Sequence, residues 1–150
     1  PMMITIGIDP DMIASGFAVV NGKQITNLHS VKLPNLIAAV QAIGAPDDVV
    51  IKLENPEANK AVFSRAITGA KNQRAVKDAI AMKVGKVMAT AHHIKELLES
   101  CGYAVKMVTP LKGQLKRQAK DDAEYFNKIT GWTGRSNQDQ RDAALIALWG

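Results

Sequence analysis

The stretch ITIGIDPD, residues 4–11, decides how the rest of the sequence is read. It begins with apolar, largely β-branched residues, which are typical of a buried strand. It ends on Asp9, Pro10 and Asp11. A carboxylate at the end of a buried strand is costly, because burial disfavours its charged form. An Asp before Pro often serves only as a turn former, so other acidic residues must indicate whether Asp9 has a further role.

Composition narrows the class of protein. The chain has 150 residues, 47% apolar and 22% charged, which fits a single globular domain over 1–150. The net charge of +5 favours an anionic partner such as nucleic acid. A single cysteine excludes an intrachain disulfide and argues against a cysteine zinc site, so a reducing compartment is expected. No apolar run reaches membrane-spanning length, and we expect a cytoplasmic protein with no membrane association.

The hydrophobic pattern predicts alternating strands and helices after an opening β-meander. Asn21-Gly22 is a hairpin signal, and Gly102 is a candidate C-cap for a long helix. Strands are predicted at 3–9, 16–20, 23–33, 48–54 and 103–108, and helices at 34–44, at 72–100, from Lys112 and from about 137 to the end. This order indicates an α/β fold with a mixed sheet covered by helices.

Three further acids stand out beside Asp9. Glu54 closes the strand 48–54, and Asp139 and Asp142 lie in SNQDQRDAALIALWG, residues 136–150. Ser136 is a candidate N-cap for that last helix, and residues three apart on a helix share a face. If the strands 3–9 and 48–54 are parallel neighbours, Asp9 and Glu54 meet at their carboxyl ends, where open α/β sheets place their sites.

Clustered carboxylates destabilise a fold unless a cation joins them. Oxygen ligands without His or Cys favour Mg²⁺ or Mn²⁺. Two such ions about 4 Å apart can activate water and stabilise the leaving oxygen of a phosphodiester. Taken singly, Glu54 could end a strand for solubility, and Asp139 could serve the helix dipole.

Four segments resemble the RuvC-type Holliday junction resolvases of the ribonuclease H-like superfamily, in that family's order. They are GIDPDMIASGFAVV (7–20), VVIKLEN (49–55), AIAMKVGKVMATAHHIKELLESCGYAVKMVTP (79–110) and DQRDAALIAL (139–148). The resemblance implies a five-stranded mixed sheet flanked by helices. It also implies a homodimer that makes paired nicks in four-way DNA junctions with Mg²⁺ or Mn²⁺, in the cytoplasm of a bacterium or of a phage-infected cell.

The resemblance also implies roles for individual residues. Asp9, Glu54, Asp139 and Asp142 become the metal ligands, with two ions per active site. Lys116 and Lys120, in TPLKGQLKRQAKDD (109–122), look like the family's lysines near the cleaved strand. Their spacing is shorter than in the family, which leaves the choice among Lys112, Lys116, Arg117 and Lys120 open. These cations would contact phosphate or stabilise charge; alternatively they form a solvated helix face.

The segment NPEANKAVFSRAITGAKNQRAVKD, residues 55–78, is longer than in the bacterial enzymes that the chain resembles. Cations hold phosphate, and an aromatic ring can stack on an unpaired base. We therefore predict a DNA-engaging element formed by Lys60, Phe63, Arg65, Lys71 and Arg74. The alternative is that Phe63 and Ile67 pack a helical extension on the core.

The helix 72–100 is the candidate dimer interface. An apolar stripe recurs along it at steps of three or four, with Gly85 near its middle. The resemblance assigns the equivalent helix to the dimer, whereas ordinary core packing explains the stripe equally well. Two other functions stay open, namely a nuclease for RNA-containing or other branched nucleic acid and a non-catalytic junction-binding protein. An actin-like ATPase is disfavoured, because glycine-rich phosphate loops are absent.

Overall fold

A computed structural model describes residues 3–56 and 73–150. Its five strands are β1 Ile4–Asp9, β2 Ala14–Asn21, β3 Gln24–Lys32, β4 Val49–Glu54 and β5 Ala104–Val108. They form one mixed sheet in the order β3-β2-β1-β4-β5. The first three strands are antiparallel neighbours, and β4 and β5 continue the sheet parallel to β1. The predicted mixed sheet and the parallel pairing of β1 with β4 are confirmed.

In the described part of the chain, five α-helices accompany the sheet. Their bounds are α1 Leu36–Ile43, α2 Gln73–Ser100, α3 Gln114–Asp121, α4 Ala123–Thr130 and α5 Gln138–Trp149. Helices α1, α2, α3 and α5 lie where the sequence predicts helical segments. The sequence did not distinguish α4 from the helical segment predicted from Lys112, whereas in the structure Asp122 separates the two as the N-cap of α4. Over the described ranges, none of them combines the length and the apolar character that crossing a bilayer requires.

One face of the sheet packs on α1 and on the last part of α2. Alternate residues of the central strands point to this side, among them Ile6, Ile8, Ile51 and Leu53. They meet Leu36 and Val40 of α1 and Ala91, Ile94 and Leu98 of α2. Because strand side chains alternate between faces, Asp9 and Glu54 must point to the opposite side of the sheet.

The opposite face is covered by α5, which lies directly on β1 and β2. An added Cβ at Gly7 would clash with the carbonyl oxygen of Ala143, and one at Gly16 with the carbonyl oxygen of Asp139. Glycine at these two positions therefore allows the helix backbone to approach the strands closely. All residues of α5 from Arg141 to Ala147 are buried.

Two helix ends test the predicted caps. After α2, Gly102 has φ of 92° and donates to the Glu99 carbonyl, while Tyr103 donates to that of Leu98. This is the Schellman arrangement, so the predicted glycine C-cap is confirmed. At α5 the prediction of Ser136 as N-cap is wrong by one residue. Asn137 is the N-cap and forms a capping box with Gln140, because an amide side chain at the third position completes the box as well as an acid does.

The hairpin turn also differs slightly from the prediction. Asn21 pairs with Gln24, so the two turn residues are Gly22 and Lys23 rather than Asn21 and Gly22. Gly22 takes the positive φ, 65°, at the first turn position. That position demands glycine in one of the two tight hairpin turns, which explains the one-residue shift.

Candidate metal centre

Three carboxylates meet at one edge of the sheet. Asp9 is the last residue of β1, Glu54 is the last of β4, and Asp142 lies in the second turn of α5. One oxygen from each lies within 4.8 Å of the others. Asp9 and Glu54 are neighbours because Ile8 pairs with Leu53 in the parallel ladder, and Asp142 approaches them from the covering helix.

Asp139 lies one helical turn before Asp142 and outside this group of three. It is exposed, yet its negative charge is near enough to contribute to the raised pKa of Asp9. Its backbone carbonyl is the one that faces Gly16, so the first turn of α5 rests against β2. The assignment of Asp139 as a metal ligand remains a prediction.

The electrostatics of the cluster are unfavourable for three free carboxylates. Burial, followed by the negative charge of Asp142, raises the pKa of Asp9 to about 8. Burial, followed by the charge of Asp9, raises the pKa of Glu54 to about 11. Without a cation, these two acids therefore retain protons at neutral pH.

The site fits a hard divalent cation. Its three donors are all carboxylate oxygens, the ligands that Mg²⁺ and Mn²⁺ favour. In addition, Oε2 of Glu54 is buried and has no hydrogen-bond partner among the described residues. A buried polar atom without a partner is destabilising, and a cation among the three acids would satisfy it.

Within residues 3–56 and 73–150, Lys120 is the cation that pairs with one of the three acids. Its Nζ lies 3.4 Å from Oδ2 of Asp142. Burial alone would lower the pKa of Lys120, but the charges of Asp142, Asp9 and Glu54 outweigh burial and raise it. Lys120 is thus a charged group that offsets part of the negative charge and competes with any other cation for Asp142.

The other basic candidates on this segment lie elsewhere. The Lys116 ammonium lies over the ring of Trp149, 3.4 Å from its centroid, and burial lowers the pKa of Lys116. Trp149 is seven residues beyond Asp142, about 10 Å further along α5. Lys112 and Arg117 are exposed. The structure therefore brings Lys120 to the acids and holds Lys116 two turns away.

The predicted DNA-engaging element falls mostly outside the described residues. Lys60, Phe63, Arg65 and Lys71 all lie in the segment 57–72, of which the structure gives no description. Arg74 is exposed in the first turn of α2. These assignments remain predictions.

Sequence reasoning missed the residues that hold the site together. Gly7 and Gly16 seat α5 on the sheet, and their signal was available, since a glycine inside a strand pattern often marks a close backbone approach. Arg141, which lies between Asp139 and Asp142 in the sequence, is buried. Its signal is weaker, because arginine in a helical sequence is usually solvent-exposed.

In comparisons by sequence, no family model and no curated protein matches the chain. In comparisons by structure, the fold matches that of known proteins. Among solved structures, Thermus thermophilus RuvC in complex with a Holliday junction substrate superposes with a TM-score of 0.57 at 16% identity. The match covers 97% of this chain and 91% of that one.

The chain has the RuvC fold. A second Thermus thermophilus RuvC structure agrees, with a TM-score of 0.50, 18% identity and coverage of 97% and 92%. The match to RuvC runs over nearly the whole chain, so the resemblance noted in the sequence is confirmed at the level of fold. At this identity the fold is what the two proteins share, and the chemistry must be argued from the residues of this chain.

The acid cluster predicts an inverse dependence of stability on pH when no metal is present. An acid whose pKa is higher in the folded state binds more protons when folded, so the free energy of unfolding falls as pH rises between the two values. For Asp9 this window runs from 3.8 to about 8, and for Glu54 from 4.5 to about 11. In EDTA, the melting temperature should therefore be lower at pH 8.5 than at pH 6.

Mg²⁺ should reverse this trend, because it replaces the bound protons and binds more tightly as pH rises. We expect 10 mM Mg²⁺ to raise the melting temperature by several degrees at pH 8.5 and by less at pH 6. The Asp9→Asn, Glu54→Gln double variant, measured under the same conditions, should lose both effects. An equal response of wild type and double variant to Mg²⁺ would mean that the ion binds elsewhere.

Proposed function

We propose that this protein is a Mg²⁺-dependent endonuclease that cuts four-way DNA junctions by paired phosphodiester hydrolysis. The observation that supports it best is the convergence of Asp9, Glu54 and Asp142 within 4.8 Å on a fold shared with a RuvC that has been solved with a Holliday junction. The net charge of +5 suits a polyanionic substrate.

The residues of the site divide the chemical work. Asp9, Glu54 and Asp142 would hold the divalent cations, with Asp139 one turn away as the fourth candidate ligand. When bound there, divalent cations would supply Lewis-acid activation of water and stabilisation of negative charge on the phosphate. Lys120 keeps an ammonium beside Asp142, where it can contact a phosphate oxygen of the cleaved strand. Such a site needs no Ser, Cys or His nucleophile.

A dimer through α2 completes the proposal. The first part of the apolar stripe contains Val76, Ile80, Val84 and Val87, and none of these belongs to either described core cluster. Val76 is 37% exposed. An apolar stripe that continues a core-facing stripe beyond the core suits a partner surface. Two-fold symmetry would then place one acid site on each of two opposed strands, as paired nicking requires.

The proposal includes a DNA-binding surface made of basic residues and one aromatic residue. It comprises Lys112, Lys116 and Arg117 on and before α3, Arg74 at the start of α2, and the segment that contains Lys60, Phe63, Arg65 and Lys71. Lys116 is already ordered by Trp149, so it presents a fixed positive charge at low entropic cost.

The test is a comparison of substrates at equal concentration. The protein is incubated with Mg²⁺ and an end-labelled synthetic four-way junction, a linear duplex of the same sequence, or an RNA–DNA hybrid. We expect symmetric paired nicks in the junction, little cleavage of the duplex, and no cleavage in EDTA. Preferential cleavage of the hybrid would favour the nuclease for RNA-containing substrates. Tight junction binding without cleavage in either Mg²⁺ or Mn²⁺ would favour the non-catalytic binding protein.

The proposed dimer through α2 leads to a separate prediction. Val84→Asp places a charge at a half-buried position of the stripe and should convert the dimer to a monomer in sedimentation velocity, because a buried unpaired charge is strongly disfavoured. Symmetric bilateral cleavage should fall at least about tenfold. Met82→Asp is the matched control, since Met82 is 63% exposed and residues two apart on a helix face different directions. Dissociation by Met82→Asp and not by Val84→Asp would place the interface on the other face of α2.

A further inference from the structure

Arg141 is a buried cation in the helix that carries Asp139 and Asp142. It is 6% exposed, and its guanidinium makes three hydrogen bonds. Nε donates to the carbonyl oxygen of Lys120 at 2.7 Å, and Nη1 donates to the carbonyl oxygen and to Oγ of Ser136 at 2.7 and 3.0 Å. Burying a guanidinium is expensive, and these three acceptors are all neutral. A need for stability alone does not explain the choice of arginine at this position.

The acceptors belong to two other segments of the chain. Lys120 lies in the last turn of α3, and Ser136 precedes α5. One rigid, planar group therefore ties both segments to the helix that carries Asp142. The same residue, Lys120, offers its carbonyl oxygen to Arg141 and its ammonium to Asp142.

The hydrogen bond from Arg141 fixes the position of the Lys120 backbone, from which the lysine side chain extends. A lysine has four flexible carbons between backbone and ammonium, and holding it in one geometry costs side-chain entropy. Fixing the backbone beside α5 reduces the volume that the ammonium can sample. The Lys120 side chain is 39% exposed, so without this restraint solvent would compete well for its ammonium.

We propose that Arg141 is a positioning residue that keeps the Lys120 ammonium on Asp142 and thereby sets how strongly the acid cluster binds a divalent cation. The inference rests on the proposed function only in taking Asp9, Glu54 and Asp142 as the cation site. Lys120 competes with the incoming ion, so loss of either Lys120 or its restraint releases Asp142 for the ion.

The experiment is a double-mutant cycle on Mn²⁺ affinity, measured by isothermal titration calorimetry without DNA. Lys120→Met should tighten Mn²⁺ binding about tenfold, an estimate that allows for the solvent screening of a partly exposed pair. Arg141→Lys keeps the charge but cannot reach all three acceptors, and it should tighten binding about threefold. In the double variant, Arg141→Lys should add less than about twofold, because Lys120 is already absent.

Two controls separate positioning from general destabilisation. Arg135→Lys changes an exposed arginine close to α5 and should leave Mn²⁺ affinity within twofold of wild type. Ser136→Ala removes the Oγ acceptor of Arg141, should shift affinity in the same direction by less, and replaces Arg141→Lys if that variant does not fold. Thermal melts confirm that each variant is folded at the temperature of the titration.

The outcomes distinguish this inference from the proposed function. The positioning role would be overturned if the Arg141→Lys variant bound Mn²⁺ more weakly than wild type. It would also be overturned if Arg141→Lys changed the Mn²⁺ affinity by the same factor in wild type and in the Lys120→Met variant. Absence of Mn²⁺ binding to wild type would overturn both proposals. A cycle that behaves as expected in a protein that cleaves no junction would leave the positioning role in place and reject the junction nuclease.

Discussion

Asp9→Asn is expected to reduce junction cleavage by about 10³-fold or more and, at the same time, to stabilise the metal-free protein. The carboxylate of Asp9 lies with those of Glu54 and Asp142, and removing one ligand charge weakens the hold on a cation whose contribution to the transition state is several kcal/mol. A loss of 10³ corresponds to about 4 kcal/mol of activation free energy. The amide is nearly isosteric, so the fold should be kept.

The gain in stability follows from the same cluster. Burial and the charge of Asp142 raise the pKa of Asp9 to about 8, which means that its charged form is disfavoured where it lies. A neutral amide removes that penalty, so the melting temperature in EDTA at pH 8.5 should rise. In Mg²⁺ the order should reverse, with wild type the more stable. The two measurements are single-turnover cleavage of a labelled junction and thermal denaturation with and without metal.

Asp11→Asn is the matched control for Asp9→Asn. Asp11 is two residues away and accepts a hydrogen bond from the backbone N–H of Met12 at 2.6 Å, which an asparagine can also do. It lies outside the group of three acids, so cleavage should stay within about threefold of wild type. If both substitutions reduce cleavage equally, the loop after β1 matters as a whole, and the metal assignment of Asp9 loses its support.

Gly7→Ala is expected to destabilise the protein strongly. The new Cβ would clash with the backbone carbonyl of Ala143 and with Cβ of Ala147, and neither can move without displacing α5. Overpacking against a helix backbone costs about 3 kcal/mol. Urea denaturation should show this decrease in the free energy of unfolding. Because α5 carries Asp142, the variant should also lose the stabilisation by Mg²⁺ seen in wild type.

Gly85→Ala is the control for Gly7→Ala and is expected to change the free energy of unfolding in the opposite direction. Among the described residues, no atom lies within 4 Å of a Cβ placed at Gly85. Alanine in a helix interior is favoured over glycine by about 1 kcal/mol, so this substitution should stabilise the protomer. If Gly7→Ala were tolerated with less than about 1 kcal/mol of loss and with Mg²⁺ binding intact, the close contact between β1 and α5 would not hold in solution.

The local pattern in the sequence predicts most of the architecture. Alternation of apolar residues along β1 and β4 indicates strands buried on one side, and the positions of Asp9 and Glu54 at their ends place both acids at one edge. The strand bounds shift by up to two residues, because pairing extends beyond the apolar run: Ala14 and Ser15 pair with Lys32 and Val31. Hydrogen bonding between neighbouring strands decides such ends, and a single sequence does not display it.

The stripe on α2 shows a different limit. Its periodicity is continuous from Val76 to Leu98, and the sequence fits a core helix as well as a dimer helix. In the structure only Ala91, Ile94 and Leu98 are buried, because the sheet is shorter than the helix. Apolar spacing identifies the face that avoids water, whereas the dimensions of the neighbouring elements decide what covers it.

Some features of the candidate site could likewise be predicted from the sequence, and others could not. The sequence by itself determined which acids are available and that Asp9 and Glu54 each end a strand, because the apolar run that marks a strand is a local property of the chain. Only the tertiary structure decided that Asp142 is the acid of α5 that joins the group of three, that Lys120 rather than Lys116 contacts the acids, and that Arg141 is buried. These depend on the rotation and approach of α5 and α3, and each residue turns a helix by about 100°. That approach is fixed by contacts at Gly7 and Gly16, made between segments more than 100 residues apart in the chain.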